Sequence, residues 1–81
     1  MRQGVRITTD RKRDATCISD ALNEYGSELE GDGRSWTIHL SASELELTAV
    51  LKALKDCLDE NEIAMVKVMV ADRAYAMEGT P

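Results

Sequence analysis

Apolar residues follow two different spacings along this chain, and the spacings predict its secondary structure. Alternation of apolar and polar residues is typical of a strand with one buried face, whereas recurrence every three or four residues is typical of an amphipathic helix. Residues 4–9 and 66–71 alternate, with sequences GVRITT and VKVMVA. Residues 13–25 show helical spacing, and Gly26 directly after them is a common helix terminator.

The segment from Ser41 to Glu62 predicts the longest helix. Ser41 and Ser43 each stand three residues before a glutamate, and either could begin a capping box. The helix is expected to end near Asn61, which tolerates the left-handed conformation. An apolar stripe about four turns long follows the caps and comprises Leu47, Val50, Leu51, Leu54 and Leu58.

Residues 27–41 predict a β-hairpin with its turn at Asp32-Gly33, since Asp-Gly favours a two-residue turn. This register places Leu29 opposite Trp36. Trp36 and His39 are three residues apart in the second strand and therefore lie on opposite faces of the sheet. The only tryptophan and the only histidine of the chain are thus not expected to form one site.

The last segment, IAMVKVMVADRAYAMEGTP, predicts a second hairpin that turns at Asp72-Arg73, although it could also form one long strand. The hairpin register pairs two apolar couples and one pair of opposite charges, which favours it. The expected pairs are Val70 with Tyr75, Val68 with Met77, and Lys67 with Glu78.

The order of predicted elements is strand, helix, strand, strand, helix, strand, strand. The first six match the split β-α-β arrangement of ferredoxin-like domains. We therefore expect a single small α+β domain over residues 1–81, ferredoxin-like βαββαβ with an extra C-terminal strand. Both helices would pack on one face of an antiparallel sheet and leave the other face open. Such a fold does not by itself identify a function.

Composition and charge narrow the class of protein. Apolar residues make up 43% of the chain and Phe is absent, so the core must be largely aliphatic. No apolar run approaches the about 18 residues that a membrane-spanning helix requires. The first residues are polar and lack the apolar run of a signal peptide, which favours the cytoplasm. In that compartment Cys17 and Cys57 are expected to be packed thiols, not a disulfide.

The net charge of −5 is distributed unevenly. Residues 1–13 hold five basic residues and one aspartate, so this segment has a charge of +4 and includes the run RKR at 11–13. The acidic remainder argues against nucleic acid as a partner. RNA-binding sheets of this topology also use exposed aromatic residues, and the predicted open face has none.

No catalytic constellation, metal site or cofactor motif is evident. His39 is the only histidine, and the strand neighbours Thr37 and Ser41 lie too far from it for a proton relay. Two isolated cysteines do not have zinc-ligand spacing. The acidic residues at 56–62 lack the ligand order of a calcium loop. The sequence therefore predicts a protein that is not an enzyme.

The open sheet face remains as the candidate functional surface. Arg6, His39 and Lys67 could form a polar patch that senses a small anion or metabolite. An apolar strip on the same face suggests a homodimer or another protein partner. The leading expectation is a non-catalytic interaction or regulatory module that associates with itself through the open face or an edge strand, and anion sensing is the alternative. The strip comprises Met65, Met69, Ala71, Ala74 and Ala76.

Overall fold

The computed structural model describes residues 2–79, which form two helices and a five-stranded antiparallel sheet. The fold class is therefore α+β, as predicted. The strands are β1 (Arg2–Thr9), β2 (Glu28–Gly31), β3 (Trp36–Ser43), β4 (Met65–Val70) and β5 (Arg73–Glu78). The helices are α1 (Lys12–Ala21) and α2 (Glu44–Glu60), and a short 3-10 turn (Asn23–Tyr25) follows α1.

The order of strands across the sheet is β2-β3-β1-β4-β5, and every neighbouring pair is antiparallel. β1 thus occupies the centre, whereas β2 and β5 form the two edges. The two helices contact each other and pack on the face that carries the buried side chains. The opposite face is free of helices within residues 2–79.

The core lies between the helices and one face of the sheet, and it is aliphatic as the absence of Phe requires. In β1, β3 and β4 every second side chain is buried, because successive side chains point to opposite faces. The strands contribute Val5, Ile7, Ile38, Leu40, Ala42, Val66, Val68 and Val70, and the helices contribute Ala15, Ile18, Val50, Leu54, Cys57 and Leu58.

Helix α2 begins with one of the two predicted capping boxes. The Glu46 N–H donates to Ser43 Oγ at 3.2 Å, and the Ser43 N–H donates to Glu46 Oε1 at 3.1 Å. The Ser43 N–H, the Ser43 hydroxyl and the nearby Arg2 lower the pKa of the Glu46 carboxyl below its usual value. The helix ends at Glu60, and it is Glu62 rather than Asn61 that adopts a positive φ, of 57°.

The β2–β3 hairpin differs from its predicted register by two residues. Trp36 lies opposite Gly31, and Leu29 lies opposite Ile38. The cause is a four-residue loop over 32–35 in place of a two-residue turn. Asp32 Oδ1 accepts the N–H groups of Arg34 and Ser35, both at 2.9 Å, and holds the wider loop.

The β4–β5 hairpin is present, so the alternative of one long strand is wrong, but its register also differs by two residues. The turn is Ala71-Asp72, one residue before the predicted position. Val70 therefore pairs with Arg73, and Val68 pairs with Tyr75. The expected Lys67–Glu78 pair does not form, because Lys67 lies opposite Ala76 and Met65 lies opposite Glu78.

Candidate functional site on the open sheet face

The open face is built from the alternate side chains of the strands that point away from the helices. Since β1 pairs with both β3 and β4, it brings residues that are distant in sequence into two rows across the sheet. One row runs from His39 through Arg6 to Met69, and the next runs from Thr37 through Thr8 to Lys67. A shift of two residues keeps each side chain on its face, so the predicted face survives the register errors.

The half of this face formed by β3 and β1, with Lys67 at its border on β4, is polar, and we call it the polar half. The three residues of the predicted patch, Arg6, His39 and Lys67, line one shallow depression of about 320 Å³. Thr8 and Thr37 lie between them, and their hydroxyl oxygens are 3.5 Å apart. The fold therefore brings the predicted patch residues together.

His39 has a partner that the sequence did not reveal. Its Nε2 lies 3.2 Å from Glu30 Oε2, and the side chain of Glu30 is largely exposed. Glu30 reaches His39 diagonally, because the observed register places Glu28 opposite His39 and Glu30 opposite Thr37, the next residue of β3 on the same face. By contrast, Arg6 and Lys67 have no ion-pair or hydrogen-bond partner among residues 2–79. These two cations are available to a ligand.

The half of the face formed by β4 and β5 is apolar apart from Lys67 at its border and Glu78 at its end, and we call it the apolar half. Met65 is 51% exposed and Met69 is 39% exposed. Ala74 lies opposite Met69, and Ala76 lies opposite Lys67, so small side chains separate the larger ones. Four members of the predicted strip thus lie on this face, where Lys67 and Glu78 interrupt them.

Ala71 is the member of the predicted strip that lies elsewhere. It occupies the β4–β5 turn with a φ of 55°, and its N–H donates to Gly4 O at 2.9 Å. An alanine rarely adopts this left-handed conformation, because its Cβ approaches the following carbonyl oxygen. Ala71 is exposed at the end of the sheet, next to the apolar half and outside it.

The edge strand β5 presents unpaired backbone groups. Gly79 N–H donates to Ala64 O at 2.9 Å, which makes 64/79 a hydrogen-bonded pair of the β4–β5 ladder. Hydrogen-bonded and non-hydrogen-bonded pairs alternate in an antiparallel ladder, so Arg73, Tyr75 and Met77 face β4 with their backbone groups. The N–H and C=O groups of Ala74, Ala76 and Glu78 therefore point outward. Of these, Glu78 O accepts from Lys55 Nζ at 2.8 Å.

Trp36 lies on the face opposite His39, as predicted, but it is only half-buried. Its indole covers the backbone of Gly31, where a Cβ atom would collide with the ring. Leu29 and Tyr75, on the two edge strands, also point toward the helix side and remain 38% and 41% exposed. The aromatic residues are thus absent from the described open face.

The two cysteines are free thiols. Cys57 is buried, and burial raises the pKa of its thiol above the usual value despite a hydrogen bond from Asn61 Nδ2. A raised pKa keeps the thiol protonated and poorly nucleophilic at neutral pH. Cys57 is therefore part of the core.

Residues 2–79 contain no group of three His, Cys, Asp or Glu side chains placed to hold a metal ion. None of the helices described is both long and apolar enough to cross a membrane. The comparisons with known proteins found no family model and no curated protein that matches this chain.

Proposed function

We propose that this protein is a non-catalytic interaction module that associates with itself through the apolar half of the open face and the β5 edge. One observation carries the proposal: exposed Met65 and Met69 adjoin a strand edge whose outward backbone groups at Ala74 and Ala76 have no partner among residues 2–79. Monomers rarely leave such a combination uncovered.

The arrangement of strands supports assignment to the ferredoxin-like folds. In the order β2-β3-β1-β4 the two strands that precede the helices, β1 and β3, are central neighbours, and both helices cover one face. The additional strand β5 extends the sheet beyond β4. We propose this βαββαβ assignment with a C-terminal extension. The extension is the part of the fold that creates the unpaired edge.

The chemistry of the face supports binding rather than catalysis. His39 is engaged by a carboxylate, and the nearest hydroxyls are those of threonines without a base within hydrogen-bond distance among residues 2–79. A nucleophile needs such a base to be activated. The two free thiols support a reducing compartment, so we place the module in the cytoplasm.

Light scattering coupled to size exclusion tests self-association. We expect wild type to shift from monomer to dimer as its concentration increases, whereas Met69→Glu dimerises more weakly because it adds a carboxylate beside the β5 edge, which already carries Glu78. Ala49→Glu adds the same charge to an exposed position on α2 and should dimerise like wild type. A wild-type monomer at millimolar concentration would refute the proposal.

A second candidate function is the binding of a small anion by the polar half, favoured by the unpartnered cations Arg6 and Lys67. Phosphate is a suitable probe, since it accepts hydrogen bonds from arginine, lysine and threonine hydroxyls. We expect phosphate to raise the melting temperature of wild type and not that of Arg6→Ala, at matched ionic strength. Arg73→Ala removes an exposed arginine elsewhere and serves as the control. An equal response in all three proteins excludes this function.

A further inference from the structure

We propose that two copies of the chain pair through β5 in antiparallel register, with the two-fold axis passing between the Ala76 residues. This inference rests on the proposed self-association and specifies its partner, a second copy, and its geometry. The two sheets would become one continuous sheet. Because the axis is perpendicular to the sheet, all four helices would lie on one side and both open faces on the other. The two apolar halves would then adjoin across the seam, so Met65 and Met69 border the interface and are not buried in it.

The positions of the outward backbone groups select this register. An antiparallel two-fold pair must align Ala74, Ala76 and Glu78 with the same set in the partner. Centring the pair on Ala76 aligns Ala76 with itself and Ala74 with Glu78 of the partner subunit, which forms about six backbone hydrogen bonds. Glu78 O has a second lone pair beside the one that Lys55 occupies.

Other positions of the two-fold axis pair fewer of the outward backbone N–H and C=O groups. A pair centred on Tyr75 aligns Glu78 with Asp72 of the partner subunit, so two carboxylates oppose each other, and it leaves the Glu78 backbone without a strand partner. A pair centred on Ala74 aligns Ala76 with the turn at Asp72. Only the Ala76 centre uses all the outward groups of the strand.

The side-chain contacts expected across the seam also favour this register. On the open side, Ala76 meets Ala76 of the partner subunit, and these small residues permit close approach of the two strands. On the helix side, Tyr75 lies opposite Met77 of the partner subunit. A methionine sulfur next to an aromatic ring is a favourable contact. Tyr75, which is 41% exposed in a single copy, would be covered.

The charges favour a second copy at β5. Arg73 and Glu78 balance each other at opposite ends of the strand. In the antiparallel pair, Glu78 lies opposite Ala74 of the partner subunit and Arg73 is on the other face, so no like charges oppose each other across the seam. At the other edge, Glu28 and Glu30 would repel a second copy of a chain whose net charge is −5. A strand of six residues is a small interface, so we expect a reversible dimer.

Cysteine cross-linking reads the register directly. Ala74→Cys and Ala76→Cys are each introduced into a Cys17→Ser/Cys57→Ala background whose fold is verified by circular dichroism, and each is oxidised under mild conditions. We expect a disulfide-linked dimer from Ala76→Cys alone, since only that residue faces itself across the axis within bridging distance. A dimer from Ala74→Cys and not from Ala76→Cys would overturn the register.

Proline substitution provides a test that does not depend on cross-linking. The Ala76 N–H points outward, so Ala76→Pro removes no bond to β4, and edge strands tolerate proline at such positions. Two interchain hydrogen bonds are lost, and the dissociation constant of the dimer should rise about 30-fold. Leu29→Pro, at an outward position of β2, should leave it unchanged.

The outcomes separate this inference from the proposed function. If wild type dimerises, but Ala76→Cys does not cross-link and Ala76→Pro binds as tightly as wild type, the β5 register is wrong and self-association stands. If wild type does not dimerise at all, both fail.

Discussion

The two edge strands of the sheet differ in how they present themselves to other chains. β2 has four residues, two of them glutamates, whereas β5 has six and carries alanines at two of its three outward positions. Short length and charge are the ordinary means by which proteins prevent edge strands from pairing. One edge of this sheet is therefore protected, and the other is suited to pairing. The proposed self-association would thus be directed to one side of the domain by the composition of its edge strands.

The two hairpins that carry these edges also differ in how well their loops are stabilised. The β2–β3 loop is held by the side chain of Asp32, and Gly33 supplies the positive φ of 92°. The β4–β5 turn instead requires Ala71 to adopt a positive φ. The protected edge therefore ends in a well-satisfied loop, and the available edge ends in a strained turn.

The largest difference in stability is expected when the aromatic residue of each hairpin, Trp36 or Tyr75, is replaced by alanine. Trp36→Ala should lower the free energy of unfolding by about 2–3 kcal/mol, somewhat less than for a fully buried tryptophan. Tyr75→Ala should cost no more than about 1 kcal/mol in dilute solution, because the ring is 41% exposed. Urea denaturation measures both. Equal losses would mean that the two hairpins contribute equally to stability.

Gly31→Ala should lower the free energy of unfolding by about 1–2 kcal/mol, because the new Cβ displaces the Trp36 indole. Gly4→Ala is the matched control in the central strand β1, where a Cβ meets nothing within 4 Å, and it should not destabilise the protein. The Gly31→Ala loss should also shrink in a Trp36→Ala background. Additive losses would show that the indole does not constrain residue 31.

The two turns should respond in opposite directions to exchange of alanine and glycine. Ala71→Gly should raise the free energy of unfolding by about 0.5–1 kcal/mol, since glycine adopts a positive φ without a Cβ clash. Gly33→Ala should lower it by a similar amount. Thermal melts of both variants measure the effect, and a destabilised Ala71→Gly would show that the turn at Ala71 is not strained.

The smallest expected effect is the loss of the stabilising contribution of Asp32 at low pH. Hydrogen bonds from the Ser35 and Arg34 N–H groups lower the pKa of the Asp32 carboxyl below its usual value. Its contribution to stability is therefore complete above the unfolded pKa of about 3.9 and is lost as the pH falls through the folded pKa. In an NMR titration, the Arg34 and Ser35 amide signals should move with Asp32 below that pH and remain fixed in Asp32→Asn. Amide signals that titrate in Asp32→Asn would contradict this assignment.

The sequence predicted the faces of the strands better than their pairing. Asp32-Gly33 was expected to make a two-residue turn, but the Asp32 carboxylate stabilises a four-residue loop instead, and no local pattern distinguishes the two. Alanine gives no signal for a left-handed turn, so the turn at Ala71 was missed. Both errors shift the register by two residues, which preserves the side on which Trp36, His39 and Lys67 lie. The Glu30–His39 contact depends on register and could not be predicted.

The central position of β1 has a consequence for the order of folding. Val5 pairs with Leu40 on one side and with Val70 on the other, so the first strand of the chain requires residues that are synthesised much later. Contacts between residues so far apart in sequence close large loops and slow the folding of small domains. During synthesis, β1 therefore has an unpaired side until β4 leaves the ribosome. The strand that is most protected in the finished sheet is exposed for the longest time while the chain is being made.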